Sequence, residues 1–264
     1  MDTKLKGKTA LITGSTAGIG FAIANRLLME GVKVYVNGRT KKRVDEAIEK
    51  LKQSNPDGDI SGVVADFSNL QEVTAITEQI AEVDILVNNV GIFEPKAFAE
   101  IPDEDWLRFF EVNVLSGVRL SRFYLPKMLA ANWGRIIFIS SESALNIPEE
   151  MIHYGMTKTA QLSISRGLAE LTKGTNVTVN SILPGPTKSE GVADFVDNLA
   201  KHNYITPQEA EANFFKNARP TSIIQRFATV DEIATLVTYI ASPLSSATNG
   251  AALRADGGVV KSAV

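Results

Sequence analysis

Tyr154 and Lys158 stand four positions apart in a stretch, His153 to Leu171, whose apolar spacing predicts a helix, so both side chains fall on one face. An ammonium can then sit near a phenol. A phenol titrates near pKa ~10, a fixed positive charge favours its ionised form, and bringing it to ~7 takes about 4 kcal/mol. A tyrosine tuned in this way can give a proton to a carbonyl oxygen, or take one from an alcohol, near neutral pH. Ser141 lies thirteen positions before the tyrosine at the end of a predicted strand, where its hydroxyl could hydrogen-bond a substrate oxygen as charge develops. The Tyr-x-x-x-Lys spacing alone is common on amphipathic helices, and the serine gives it weight.

A second cluster lies near the N-terminus. The apolar run Lys8–Ile12 leads directly into Thr13-Gly14-Ser15-Thr16-Ala17-Gly18-Ile19-Gly20, and a helical pattern, Phe21 to Glu30, follows at once. A glycine turn between strand and helix lets backbone N–H groups and the helix N-terminus face a phosphate. Its spacing, Gly-x-x-x-Gly-x-Gly, differs from the commoner Gly-x-Gly-x-x-Gly.

Both clusters need a scaffold that brings strand ends together. Apolar runs at Thr9–Thr13, Val32–Asn37, Ile60–Ala65, Ile85–Asn88, Arg135–Ser140, Val177–Ile182 and Ala251–Arg254 alternate with helical patterns. This predicts an α/β fold, a doubly wound parallel sheet of about seven strands with helices on both faces, as one domain over residues 1–264. Ligands bind at the carboxyl ends of such strands, and the polar residues collect there: Gly14, Gly38-Arg39, Asp66, Asn88-Asn89, Ser140-Ser141 and Pro184-Gly185. From Pro186 to Arg226 the rhythm breaks, with helical fragments at Val192–Lys201 and Gln208–Lys216 and no strand. A stretch of that length beyond a strand end reads as a lid over the substrate.

In order along essentially the whole chain, these elements resemble a short-chain dehydrogenase/reductase. Thr13-Gly14-x-x-x-Gly18-x-Gly20 is similar to the family's cofactor turn, and Asn88-Asn89-Val90-Gly91 to its Asn-Asn-Ala-Gly element, with Val90 replacing alanine. Asn113, Ser141, Tyr154 and Lys158 resemble the catalytic set, with Thr157 where serine is frequent. Pro184-Gly185-Pro186-Thr187 resembles the segment beside the nicotinamide, and Asp256-Gly257-Gly258 the C-terminal motif. The resemblance implies that Lys158 holds the nicotinamide ribose and lowers the tyrosine pKa, with the cofactor's positive ring adding to that effect. It implies that Ser141 orients a carbonyl, that Tyr154 protonates it as hydride arrives, and that Asn113 anchors a water relaying protons to Lys158. The cofactor would lie along Gly14, Ser15, Thr16, Ala17, Gly18, Ile19, Gly20, Arg39, Asp66, Phe67, Asn89, Gly91, Tyr154, Lys158, Pro184, Gly185 and Thr187. Asp66-Phe67 would bracket adenine, while Asp66 and Ser68 also read as helix caps before Leu70.

The cofactor's identity turns on the end of the second strand. A site for NAD needs a carboxylate there; Gly38 occupies the place, and the guanidinium of Arg39 suits a 2′-phosphate. NADP is expected, with NAD as the alternative, although Ala17 stands where NADP-preferring relatives often carry a basic residue. Lys41 and Lys42 read equally well as a solvated helix start.

A net charge of −3 offers no basic footprint for nucleic acid, and no apolar run approaches the ~18 residues of a membrane span. The absence of cysteine excludes disulfides and thiolate sites and fits a reducing compartment, so a cytoplasmic protein is expected. His153 and His202 are the only histidines and form no metal motif, so no metal is expected. Adjacent helix positions face about 100° apart, which turns His153 away from Tyr154 and makes it a structural or pocket-rim residue. Phe93–Phe98, Glu142–Ile152 and Pro186–Arg226 should line the substrate side. Glu142, Glu149 and Glu150 read there as solvated loop charges, with selection of a cationic or polyhydroxy substrate as the functional alternative.

The expected substrate is a small carbonyl or secondary alcohol. A 3-oxoacyl-carrier-protein reductase ranks below it, because Ala131, Asn132 and Trp133 replace the basic residues that would hold an acidic carrier. A dinucleotide-binding sensor without catalysis ranks lower still, given the intact Asn113, Ser141, Tyr154 and Lys158. Apolar surface on the helical patterns Asp103–Ala131 and Tyr154–Lys173 suggests a homo-oligomer, dimer or tetramer.

Overall fold

The computed structural model describes residues 2–202 and 204–263, so position 203, within the 186–226 stretch, lies outside the described residues. The first half alternates strictly: β1 (Thr9–Ile12), α1 (Gly18–Met29), β2 (Lys33–Gly38), α2 (Lys41–Ser54), β3 (Ile60–Val64), α3 (Leu70–Gln79) and β4 (Ile85–Asn88). There follow α4 (Asp103–Phe110), α5 (Ser116–Ala130), β5 (Gly134–Ile139), α6 (Ile152–Glu170) and β6 (Val177–Pro184). The chain closes with β7 (Thr187–Lys188), α7 (Glu190–His202), α8 (Pro207–Asn217), β8 (Ala228–Thr229), α9 (Val230–Ala241) and β9 (Ala252–Ala255).

Seven strands form one parallel sheet in the order β3-β2-β1-β4-β5-β6-β9. The doubly wound architecture expected from the alternation is therefore present. Strands β4, β5 and β6 are buried along their whole length, which is why they read as unbroken apolar runs. One core packs α1 and α9 on one face, through Ile23, Leu27, Ile233 and Val237. The other packs α3 and α5 on the opposite face, through Val73, Ile76, Leu120 and Tyr124. Strand order reverses between β1 and β4, and there the carboxyl ends open a crevice.

Three local features depart from the sequence reading. The helix expected over Asp103–Ala131 is interrupted by a π turn, Glu111–Leu115, which holds Asn113. The 186–226 stretch does contain a strand: β7 pairs in parallel with β8 just beyond it, Thr187 opposite Ala228. The residue capping α3 is Asn69, whose side chain accepts from Gln71 N at 3.0 Å. Asp66 Oδ1 instead accepts from Ser68 N at 2.9 Å and Ser68 Oγ at 2.8 Å, a local turn that delays the helix to Leu70.

Candidate active site

The glycine turn is fastened from below. Thr13 Oγ1 accepts from Asn89 N at 2.9 Å and Val90 N at 3.0 Å, and Asn89 Nδ2 donates to Thr13 O and Gly14 O at 2.9 and 3.0 Å. The ends of β1 and β4 are thereby locked together at the crevice. Gly14 and Gly18 both sit at φ +59°, where a side chain would be strained, and a Cβ on Gly20 would come within 2.5 Å of Asn89 Nδ2 and Gly14 O. α1 begins at Gly18 with no acidic residue in its first turn and no side-chain cap, so its N-terminal amides are left for an anion. These features fit a dinucleotide's phosphates.

The motif residues serve this cleft in different ways. Ser15 is fully buried: its N–H donates to Asn37 O, and its Oγ donates to Ile12 O and accepts from Asn37 N. Its side chain shapes the turn and does not face the cleft. Thr16, Ala17, Gly18 and Ile19 all keep surface, and Arg39 is exposed beside Asp66, whose carboxyl it helps hold below the usual range after the dominant hydrogen bond from Ser68 N–H. Phe67 is a core ring packed with Val63, Val73 and Ile76, so only its main chain remains for an adenine.

On the other side of the crevice, the four catalytic candidates converge. Ser141 follows β5, and its Oγ accepts from Ser143 N at 3.1 Å. Tyr154 and Lys158 lie one turn apart on α6, with Lys158 Nζ 5.6 Å from the centre of the tyrosine ring. The ammonium donates to Ile139 O at 2.9 Å, and a Cβ placed on Gly91 would lie 3.4 Å from it. Asn113 is clamped: Oδ1 accepts from Ile92 N at 2.7 Å, and Nδ2 donates to Ile92 O at 2.9 Å and Thr157 Oγ1 at 3.0 Å. Thr157 Oγ1 in turn donates to Tyr154 O at 2.7 Å, so the hydroxyl retained at this position ties the asparagine to the catalytic helix.

Pro184-Gly185 and Thr187 border the same cleft. Thr187 Oγ1 donates to Gly185 O at 2.8 Å, and Gly185 packs so closely on Asp256 that a Cβ would meet its carbonyl oxygen at 2.6 Å.

Burial dominates the electrostatics. The Tyr154 phenol is pushed up to about 12, with a hydrogen bond to Ser141 and the charge of Arg219 opposing and Glu142 adding to the rise. Burial brings Lys158 down to about 8. The expected lowering of the phenol by the ammonium is not among these influences: with Lys158 at about 8 and Tyr154 at about 12, the lysine has given up its charge before the phenol titrates. Together these groups offer a hydroxyl and a phenol for a substrate oxygen and a nearby ammonium for sugar hydroxyls.

The chain matches the family described as short chain dehydrogenase over residues 8–200. It belongs to that family. The oxidoreductase YvaG of Bacillus subtilis (strain 168), itself uncharacterized, is 53% identical over 262 residues, covering 99% of both chains. D-beta-hydroxybutyrate dehydrogenase of Cupriavidus necator is 31% identical, with 97% of this chain and 99% of that one covered. L-sorbose reductase from Gluconobacter frateurii, solved with NADPH and L-sorbose, superposes with a TM-score of 0.92 at 30% identity, covering 99% of this chain and all of the other. Family membership makes the protein an NAD(P)-dependent oxidoreductase.

Other features of this short-chain dehydrogenase correct or extend the sequence reading. Glu142 is 3% exposed, not solvated, and Arg219 Nε donates to its Oε1 at 3.0 Å, while Oε2 is buried without a partner. Arg219 Nη1 also lies 3.6 Å from the exposed Glu150, and Glu149 is exposed. Arg219 comes from the 186–226 stretch, so this pair docks that stretch onto the loop behind Ser141. His153 is fully buried against Phe109, ring centres 4.1 Å apart, and is structural, not a pocket-rim residue. Phe93 keeps 65% of its surface exposed beside Tyr154, and Leu145 and Ile147 are exposed on the Ser141–Tyr154 loop.

Sequence reasoning did not single out Gln161 or Arg219. For Gln161 a signal existed, a polar residue three positions after Lys158 on the same buried face. For Arg219 there was none, since its partner lies 77 residues away. Among the described residues no helix is long and apolar enough to cross a membrane.

Proposed function

We propose that the protein interconverts a carbonyl and a secondary alcohol with NADP(H), Tyr154 acting as general acid and base. The observation that carries this reading is the convergence of Ser141, Tyr154 and Lys158 opposite the glycine turn, across one crevice at the strand ends. In the reducing direction, Ser141 Oγ and Tyr154 Oη both bond the substrate oxygen, and Tyr154 gives up its proton as negative charge develops there. NADP(H), when bound, supplies the hydride and, once oxidised, a positively charged ring. Lys158 would hold the nicotinamide ribose hydroxyls. Because burial is the largest influence on Tyr154 and holds it near 12, the phenol is a poised donor, and further positive charge brought beside it would make it a base.

The preference for NADP rests on the end of β2. A Cβ at Gly38 would come within 2.5 Å of Thr16 Cγ2 and 3.2 Å of Val44 Cγ2, so a carboxylate of the kind an NAD site needs could stand there only if these side chains moved. Arg39 is exposed beside that point, and the sorbose reductase that superposes on this chain was solved with NADPH. The exposed Phe93, Leu145 and Ile147 give the substrate an apolar wall beside the reacting oxygen. We further infer self-association through the outer face of α4 and the C-terminal end of α6, where Leu107 and, one residue past α6, Leu171 are 70% and 63% exposed; sedimentation as a monomer would exclude it.

The deciding experiment is Tyr154→Phe, assayed by loss of NADPH absorbance with a panel of carbonyl compounds accepted by the wild type. Turnover should fall by about 10³-fold or more while NADPH affinity, read by fluorescence, stays within about threefold. A variant that keeps most of its kcat refutes the assignment.

A further inference from the structure

We propose that Gln161 is a positioning residue for Lys158, its amide forming a fixed strut from the Asn113 main-chain carbonyl to the lysine ammonium. Gln161 is 1% exposed; its Nε2 donates to Asn113 O at 2.6 Å, and its Oε1 accepts from Lys158 Nζ at 3.4 Å. The amide has one orientation that satisfies both neighbours, since a carbonyl only accepts and an ammonium only donates. Reversing it would set an NH₂ against the ammonium and an oxygen against a carbonyl.

Both ends of the strut are anchored. Asn113 is clamped by Ile92 and Thr157, and Lys158 Nζ is also held by Ile139 O. An ammonium has three donors, and Ile139 O and Gln161 Oε1 account for two. The third is left for a ribose hydroxyl or a water, so the strut sets the direction in which Lys158 can act. An amide does not pass a proton along as a water does. Gln161, tied to Asn113, therefore holds Lys158 and leaves its third donor free to meet a ribose hydroxyl or a water.

Among the described residues no charged side chain forms an ion pair with Lys158. Tyr154 faces Lys158 from the same helix, β5 presents the Ile139 carbonyl, the loop after β4 presents Gly91, and the π turn presents Asn113. Burial is the cause of the lowered lysine pKa, and Gln161 Oε1 is a side-chain acceptor that favours the charged form.

The inference rests on Lys158 contacting the bound cofactor, and two isosteric variants test it in the full-length protein. The readouts are kcat/KM against pH and the dissociation constant of NADPH against pH, the second needing no turnover. Gln161→Met removes the acceptor and should move the alkaline limb of both profiles down by about half a pH unit, with kcat reduced about tenfold. Gln161→Glu keeps an acceptor on the ammonium and, with its proton held toward Asn113 O, should leave both limbs within about 0.2 pH unit of the wild type or move them up where the carboxyl ionises. A packing defect would move both variants alike. An unmoved limb in folded Gln161→Met, or a limb moved down in folded Gln161→Glu, overturns the proposal, and so does loss of folding in both, which would leave Gln161 a structural residue only. If Tyr154→Phe retains turnover, the tyrosine mechanism fails, while the NADPH-binding limb still judges the strut.

Discussion

Replacing Lys158 by Met removes an ammonium that the fold holds with 4% of its surface exposed. Burial lowers this lysine from 10.5 to about 8, which at about 1.36 kcal/mol per pH unit puts the cost of the buried charge near 3 kcal/mol. The sign follows from which state titrates first. At neutral pH both folded and unfolded chains carry the proton, and the folded state bears the whole cost. Between about pH 8 and about pH 10.5 the folded protein gives up its proton while the unfolded chain keeps it, so wild-type stability climbs. Lys158→Met has no such group. Its stability should therefore lose ground to the wild type by about 3 kcal/mol across that window. The rise of Tyr154 to about 12 acts in the other direction above about pH 10, but both proteins share it and it cancels in the difference. Methionine leaves Ile139 O and Gln161 Oε1 without their donor, an offset of about 1–3 kcal/mol that shifts the difference at every pH without tilting it. Urea unfolding followed by the fluorescence of Trp106 and Trp133, at fixed protein concentration, measures it. A difference flat within about 0.5 kcal/mol over the window refutes the burial argument.

Arg39→Ala should raise the KM for NADPH about tenfold and leave that for NADH unchanged; equal effects on both would move the 2′-phosphate site elsewhere. Arg219→Met leaves the Glu142 carboxylate buried and uncompensated and should cost about 3 kcal/mol by urea unfolding, most of it recovered in Glu142→Leu/Arg219→Met. A single variant as stable as the wild type would show that the pair does not hold the 186–226 stretch in place. His153→Leu removes two ring nitrogens that are buried without partners and should preserve kcat within about twofold while stabilising the fold by about 1 kcal/mol. A hundredfold fall in kcat would instead give this histidine a part in the chemistry.

The sheet was legible because burial on both faces forces each interior strand to be a continuous apolar run. Strand ends could be read to within two residues. The β7–β8 pair could not, since two-residue strands have no periodicity and their partners lie 41 positions apart. The π turn around Asn113 keeps the helical composition of its flanks, so only the hydrogen-bond register reveals it. Motif matching proposes the residues along the cofactor without saying which part of each would face it. Ser15 and Phe67 match by position, yet one side chain is committed to the turn and the other to the core.

The electrostatics of the catalytic pair were the least legible part, for a physical reason. Spacing along a helix reveals that Tyr154 and Lys158 are neighbours, and neighbouring charges suggest mutual stabilisation of phenolate and ammonium. Desolvation depends on everything packed around the pair, including β5, the π turn and the loop carrying Glu142, none of it adjacent in sequence. In the folded chain it pushes the phenol up to about 12 and brings the ammonium down to about 8, each toward its neutral form. The four-residue spacing thus fixes who can interact, and the packing decides the sign. On the proposed mechanism, positive charge brought beside Tyr154 would lower the phenol, and its proton transfer would be coupled to the change in cofactor charge that accompanies hydride transfer.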